Sequence, residues 1–77
     1  MQELLQTIVV GLVEDPSAIA ITEDAPNEEG VIVYHLHVAA DDMGRVIGKQ
    51  GRIARAIRII MRSGAAKSNQ KIAVEID

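Results

Sequence analysis

Four residues in the middle of the chain, Gly48-Lys49-Gln50-Gly51, constrain its fold more than any other feature. The residues on either side follow helical spacing. The backbone must therefore end one helix, reverse direction and begin another within a tight loop. Glycine permits this because it adopts φ > 0 and, lacking Cβ, lets another backbone approach closely. The first of the two helices is a short turn over about Met43 to Ile47. Asp41 and Asp42 open it, and either residue can cap it. The second helix runs from about Arg52 to Ala66. Ile53, Ile57, Ile60 and Met61 form one stripe along it, with Arg52, Arg55, Arg58 and Arg62 on the opposite side.

Strands flank this helical pair. Val31 to Val38 alternates, with Ile32, Tyr34, Leu36 and Val38 on one face and Val31, Val33, His35 and His37 on the other. After a loop at Lys67-Ser68-Asn69-Gln70, Ile72, Val74 and Ile76 alternate with Lys71, Ala73 and Glu75 in a final strand. Upstream, Leu5, Ile8, Val9, Leu12 and Val13 give an N-terminal helix, which Glu14-Asp15-Pro16-Ser17 stops. Gly11 weakens its last turn without ending it. Ala18 to Thr22 reads as a short strand, joined to Val31–Val38 as a hairpin across the polar segment 24–30. The order is α-β-β-α-α-β. Two helices connect the second and third strands, so if these are neighbours they run parallel. The expected fold class is α+β, a three-stranded mixed sheet packed on three helices. The 77 residues leave room for one domain, 1–77.

Charge is segregated along the chain. Residues 1–44 hold nine acids and no Lys or Arg, a charge of −9; residues 45–77 hold all eight basic residues and two acids, a charge of +6. The net −3 hides this, and a partner responds to the local field rather than the average. Composition excludes several alternatives. With no Cys there is no disulfide framework, Cys-ligated zinc or thiol nucleophile. With one aromatic residue, Tyr34, stacking on bases cannot be the main binding device. The longest uncharged stretch, about Val31 to Ala40, is too short and too polar to span a bilayer, and no signal peptide is visible, so the expected location is cytoplasmic with no membrane partner.

The second helix of the pair begins with free backbone N–H groups and the positive end of its dipole, which together favour a phosphate. Lys49 and Arg52 add formal charge at that spot, and Arg45 and Arg55 lie about a helical turn to either side. Ile47 is placed to floor a groove against which unstacked bases pack. The glycine spacing and the missing Ser/Thr rule out a nucleotide-binding P-loop. No Ser-His-Asp order or carboxylate pair argues for an enzyme, and no cofactor is called for. His35 and His37 share a strand face but lack an identifiable third metal ligand, so a structural or surface role is expected.

Met43-Gly44-Arg45-Val46-Ile47-Gly48-Lys49-Gln50-Gly51-Arg52 resembles the Val-Ile-Gly-x-x-Gly signature of KH domains, and the element order resembles their bacterial type II arrangement. The resemblance covers essentially the whole chain and is closest to the small stand-alone bacterial KH-domain protein A (YlqC-like) family. It implies a single-stranded RNA-binding protein, an RNA chaperone or post-transcriptional regulator, whose G-x-x-G loop clamps the RNA backbone. Carried over, Gly48, Lys49, Gln50 and Gly51 are the clamp, Ile47 lines the groove, and Lys67 to Lys71 form the variable loop at its far wall. Family members are homodimers that pair with a larger Jag-type KH-containing partner and act in cell elongation and cell-wall homeostasis. Ile59, on the arginine side of its helix, is the candidate oligomer contact. The alternative is an assembly adaptor whose RNA binding comes mainly from the partner. Replacing Gly48 and Gly51 by Asp is expected to separate the two readings, by removing RNA binding while leaving the fold intact.

Overall fold

The computed structural model describes residues 1–77 and contains the elements in the expected order. Helix α1 spans Gln2–Val10, strands β1 and β2 span Ala20–Glu23 and Val31–His37, helices α2 and α3 span Met43–Ile47 and Arg52–Lys67, and strand β3 spans Lys71–Ile76. The sheet order is β1-β2-β3. Strand β2 is central because it alone has the length and alternation to bury one face along seven residues. It pairs antiparallel with β1, from Ala20 opposite His37 to Glu23 opposite Tyr34. It pairs parallel with β3, from Val31 opposite Lys71 to Leu36 opposite Ile76. The hairpin between β1 and β2 is closed by Asn27, whose side-chain oxygen accepts from the N–H groups of Glu29 and Val31 at 2.9 and 3.0 Å.

All three helices lie on one sheet face. Leu5 and Val9 of α1, Val46 of α2, and Ile57, Met61 and Ala65 of α3 pack on Tyr34, Leu36, Ile72 and Val74. The stripe on α3 differs from the expected one. Ala54, Ile57, Met61 and Ala65 are buried, whereas Ile60 is 46% exposed. The buried stripe is centred between Ile57 and Ala54, roughly 100° around the helix from Ile60 at 100° per residue. Ile60 falls on the flank towards α1, where Gly64 forms the close approach: a Cβ there would lie 3.2 Å from Leu4 and 3.3 Å from Met1.

Three other expectations are corrected. Helix α1 ends at Val10, with Gly11 as its C-cap, although Val13 N–H still reaches the Val9 carbonyl at 3.2 Å. Strand β1 starts at Ala20 rather than Ala18, because Pro16 opens a 3-10 turn over Pro16–Ala18, closed by Ile19 N–H on the Pro16 carbonyl. Asp42 does not cap α2. Its carboxylate is 2% exposed and accepts from the N–H groups of Glu14 and Asp15, both at 3.1 Å, and from Arg45 Nε at 3.3 Å. A buried carboxylate must be paired and hydrogen-bonded to be tolerated. Asp42 meets that requirement by fastening the α1–β1 connection to α2.

The other sheet face is open. Val31, Val33, His35 and Ala73 are half-buried there, while Thr22, His37, Lys71 and Glu75 are exposed. His35 stands between Asp24, with Nε2 at 2.9 Å, and Glu75, with Nδ1 at 3.4 Å. The hydrogen bond to Asp24 raises its pKa above 6.5. Partial desolvation opposes this, and the charges of Asp24, Glu75 and Asp77 reinforce it.

Leu36 is fully buried in the central strand, so Leu36→Ala is expected to lower stability by about 2–5 kcal/mol, read as a reduced urea midpoint at unchanged slope. Because His35 has a higher pKa folded than unfolded, its contribution is fully present below about pH 6.5 and is lost as pH rises through the folded value. The stability gap between the wild type and His35→Gln should therefore be larger at about pH 5.5 than at about pH 8.5 in paired urea titrations; a gap independent of pH would contradict this assignment.

Candidate nucleic-acid interface

The corner between α2 and α3 is built on three unusual backbone conformations within four residues. Gly48 has φ 74° and ψ 174°, Gln50 φ 59° and ψ 25°, and Gly51 φ 73° and ψ 16°. The first of these lies in a region open essentially to glycine alone. A Cβ on Gly48 would also overlap the Ile53 side chain and come within 2.9 Å of the Ile53 nitrogen. Gly51 differs: it is left-handed, but nothing lies within 4 Å of the place a Cβ would occupy. The two glycines thus have separate jobs. Gly48 lets α2 and α3 meet, and Gly51 turns the chain into α3.

Helix α3 starts in an unusual electrostatic state. Its N-cap is Gly51, no side chain caps it, and its first turn contains no acid. Most helices offset the free amides and positive dipole at this end with an Asp, Ser or Glu. Here Lys49 precedes the helix and Arg52 and Arg55 occupy its start, so cations are gathered where they repel the dipole. Lys49 and Arg55 have no ionic partner in the chain, and Arg52 is steered over the loop by a 3.3 Å bond from Nη2 to Gln50 Oε1. That arrangement is electrostatically unfavourable within the chain itself.

The structure treats the other sequence-derived site residues unequally. Ile47, 38% exposed at the end of α2, lies beside the corner. Arg45 is engaged by Glu14 at 2.6 Å and by buried Asp42, so its charge is largely spent within the protein. Lys67 is about 22 Å along α3 from Arg52, at a rise of about 1.5 Å per residue. Lys67 and Lys71 therefore belong to the far end of the surface, around the turn Ser68–Gln70, where Asn69 is left-handed at φ 57°. Ile59 is 53% exposed on the flank of α3 that carries Arg55 and Arg62.

Periodicity places Arg58 and Arg62 on the side of α3 opposite the apolar stripe. The structure sets them along the free edge of β3, where they line a cleft of about 260 Å³ with Ile72, Ala73 and Val74. Arg58 Nε donates to the Val74 carbonyl at 3.2 Å. The angular position of Arg58, about 40° from Ala54 and about 20° from Ala65 at 100° per residue, was the available signal. Its formal charge masked it. The result is a basic surface running from the α2–α3 corner along α3, with an apolar-floored cleft beside it.

The geometry of Gly48 bears on the expectation that substitution there leaves the fold intact: a side chain would meet Ile53 in a backbone conformation open essentially to glycine, so a loss of stability is expected. Gly48→Ala should lower stability by about 3 kcal/mol or more, through a forbidden conformation plus overlap with Ile53. Gly51→Ala should cost only about 1–2 kcal/mol. Thermal denaturation of the two single variants checks the asymmetry, and equal losses would contradict it.

Comparison with known proteins agrees with this architecture. Residues 2–76 match the family model described as KhpA/KhpB, KH domain. The RNA-binding protein KhpA of Clostridium acetobutylicum is 46% identical over 76 residues, covering 99% of each chain. That of Listeria monocytogenes is 45% identical over 76 residues, 99% of this chain and 97% of its own. Among solved structures, Aquifex aeolicus Era aligns with a TM-score of 0.67 at 19% identity, over 96% of this chain. The alignment covers 28% of the Era chain, so the likeness is one of fold. A second Era structure, in complex with MgGDPNP and nucleotides 1506–1542 of 16S ribosomal RNA, aligns equally well. The element order is that of a type II KH fold, and the chain belongs to the KhpA/KhpB family of KH domains.

Proposed function

We propose that this chain binds single-stranded RNA by its sugar–phosphate backbone at the Gly48–Gly51 corner, with bases laid in the cleft between α3 and β3. The observation that carries this reading is the start of α3: an uncapped helix end with no acid in its first turn, surrounded by Lys49, Arg52 and Arg55. Phosphate satisfies the amides, the dipole and the cations together. Relatives that match nearly the full length are named RNA-binding proteins, which supports the same conclusion. The role is binding rather than catalysis, as an RNA chaperone or post-transcriptional regulator in the cytoplasm. No helix is long and apolar enough to cross a membrane.

A corner engaging two or three phosphates gives a log–log salt slope of about −2 and weak affinity by itself. Avidity from a second site offsets that weakness. Pairing with another copy through the exposed Ile59 flank, or with a larger Jag-type KH-containing partner, would supply it, and the family resemblance extends the role to cell elongation and cell-wall homeostasis. A second reading, an assembly adaptor, draws on the exposed apolar side chains of α3: Ile59 is 53% exposed on the flank with Arg55 and Arg62, and Ile60 is 46% exposed on the flank towards α1.

Lys49 and Gln50 give a cleaner test than the glycines. Both side chains are exposed, and Asp tolerates the left-handed conformation at position 50. The double variant Lys49→Asp, Gln50→Asp should keep the wild-type melting profile and lose about tenfold or more in affinity for unstructured RNA at low salt, measured by fluorescence anisotropy. Unchanged RNA affinity in a folded double variant would favour the adaptor reading.

A further inference from the structure

The bond between Arg58 and Val74 bears on which bases the cleft accepts. Along a strand, the N–H and C=O of one residue point the same way and successive residues alternate. In β3 the odd-numbered residues turn towards β2. Asp77 N–H, which extends that ladder, donates to the Leu36 carbonyl at 2.8 Å, and the register sets Tyr34 opposite Val74 and Leu36 opposite Ile76. Ile72, Val74 and Ile76 therefore direct their backbone groups to the free edge, beside the cleft. The Arg58 bond to the Val74 carbonyl shows this directly.

A bare strand residue at such an edge offers a donor next to an acceptor. That pattern complements adenine at N1 and N6, or cytosine at N3 and N4. Val74 is not bare. Its carbonyl already accepts from Arg58 Nε, and the guanidinium repels any amino group brought to the remaining lone pair. The two Nη nitrogens of Arg58 have no partner in the chain. At Val74 itself the cleft shows donors only, the Val74 N–H and the fork of Arg58; the Ile72 carbonyl lies further along the edge. Arg62 lines the same cleft, with its Nε 3.4 Å from the Arg58 carbonyl oxygen, and adds a second cation.

We propose that Arg58, by occupying the Val74 carbonyl, makes this part of the cleft select a base edge with two adjacent acceptors. Guanine carries such an edge at O6 and N7, and cytosine at O2 and N3. Adenine and uracil do not. Arginine paired to guanine O6 and N7 is the commonest specific contact of this kind in nucleic-acid recognition. The proposal rests on the RNA-binding reading above and adds a base preference to it.

The test is a set of uridine nonamers with a single central A, G, C or U, titrated against the full chain at low salt. The wild type should bind the G and C oligomers about five- to tenfold more tightly than the A oligomer. Arg58→Met keeps the aliphatic stem and frees the Val74 carbonyl, and it should bring A level with or above G. Arg58→Lys keeps the charge without the fork and should lose the G-over-A ratio while overall affinity changes little. Equal binding of A and G by the wild type overturns the proposal. So does an equal loss for all four oligomers in both variants, which would make Arg58 a phosphate contact. If no oligomer binds at all, the RNA-binding reading fails and takes the preference with it. If the oligomers bind, and bind less tightly to the Lys49→Asp, Gln50→Asp protein, a flat base profile refutes the preference alone.

Discussion

The approach of Gly48 to Ile53 is the contact on which the site depends. Helix α2 is five residues long, too short to hold its own shape, and it is fixed by what its ends touch. At the C-terminal end, the bare Gly48 backbone lies against the side chain and nitrogen of Ile53. This brings the end of α2 and the start of α3 together, with Lys49, Gln50 and Gly51 projecting as a corner. At the other end, buried Asp42 ties α2 to the backbone of Glu14 and Asp15. The corner is thus held by packing on one side and by charge-assisted hydrogen bonds on the other. An anion bound at the proposed site would meet amides that packing already holds in place, which limits the conformational entropy lost on binding.

The segregated charge also acquires a physical meaning. Acids of the N-terminal half are not spread as a neutralising cloud over the basic half. Glu14 and Asp42 engage Arg45, while Asp24, joined by Glu75 of the C-terminal half, engages His35 on the open sheet face. The remaining cations around the corner and along α3 have no carboxylate partner. A chain of net negative charge therefore keeps a locally positive surface, and the field at that surface is the one an RNA strand feels.

Helix α3 serves three neighbours. Its inner stripe of Ala54, Ile57, Met61 and Ala65 packs on the sheet. One flank, with Gly64, admits α1 at close range. The other flank, with Arg58 and Arg62, lies along the edge of β3. An edge strand with unpaired backbone groups invites adventitious pairing, and natural sheets blunt such edges with charged side chains. Arg58 does this here, and the same bond sets which hydrogen-bonding pattern the cleft displays.

The local elements were legible in the residues themselves. Alternation marked β2 and β3, helical spacing marked α1 and α3, and two glycines three apart marked the corner, because each of these signals is a property of neighbouring residues. The separation of charge was equally plain. Only the tertiary structure decided what those charges do. Asp42 looked like a helix cap and became a buried anchor, Arg45 looked free and is paired, and Arg58 looked solvated and closes a strand edge. Ile60, placed in the core stripe by periodicity, lies on the surface because the buried stripe runs through Ala54, Ile57, Met61 and Ala65, and Ile60 falls on the other side of Ile57. The reason is common to all four. Spacing along a helix fixes the angle at which a side chain leaves it, but the distance and identity of the partner it meets are set by segments far away in the chain.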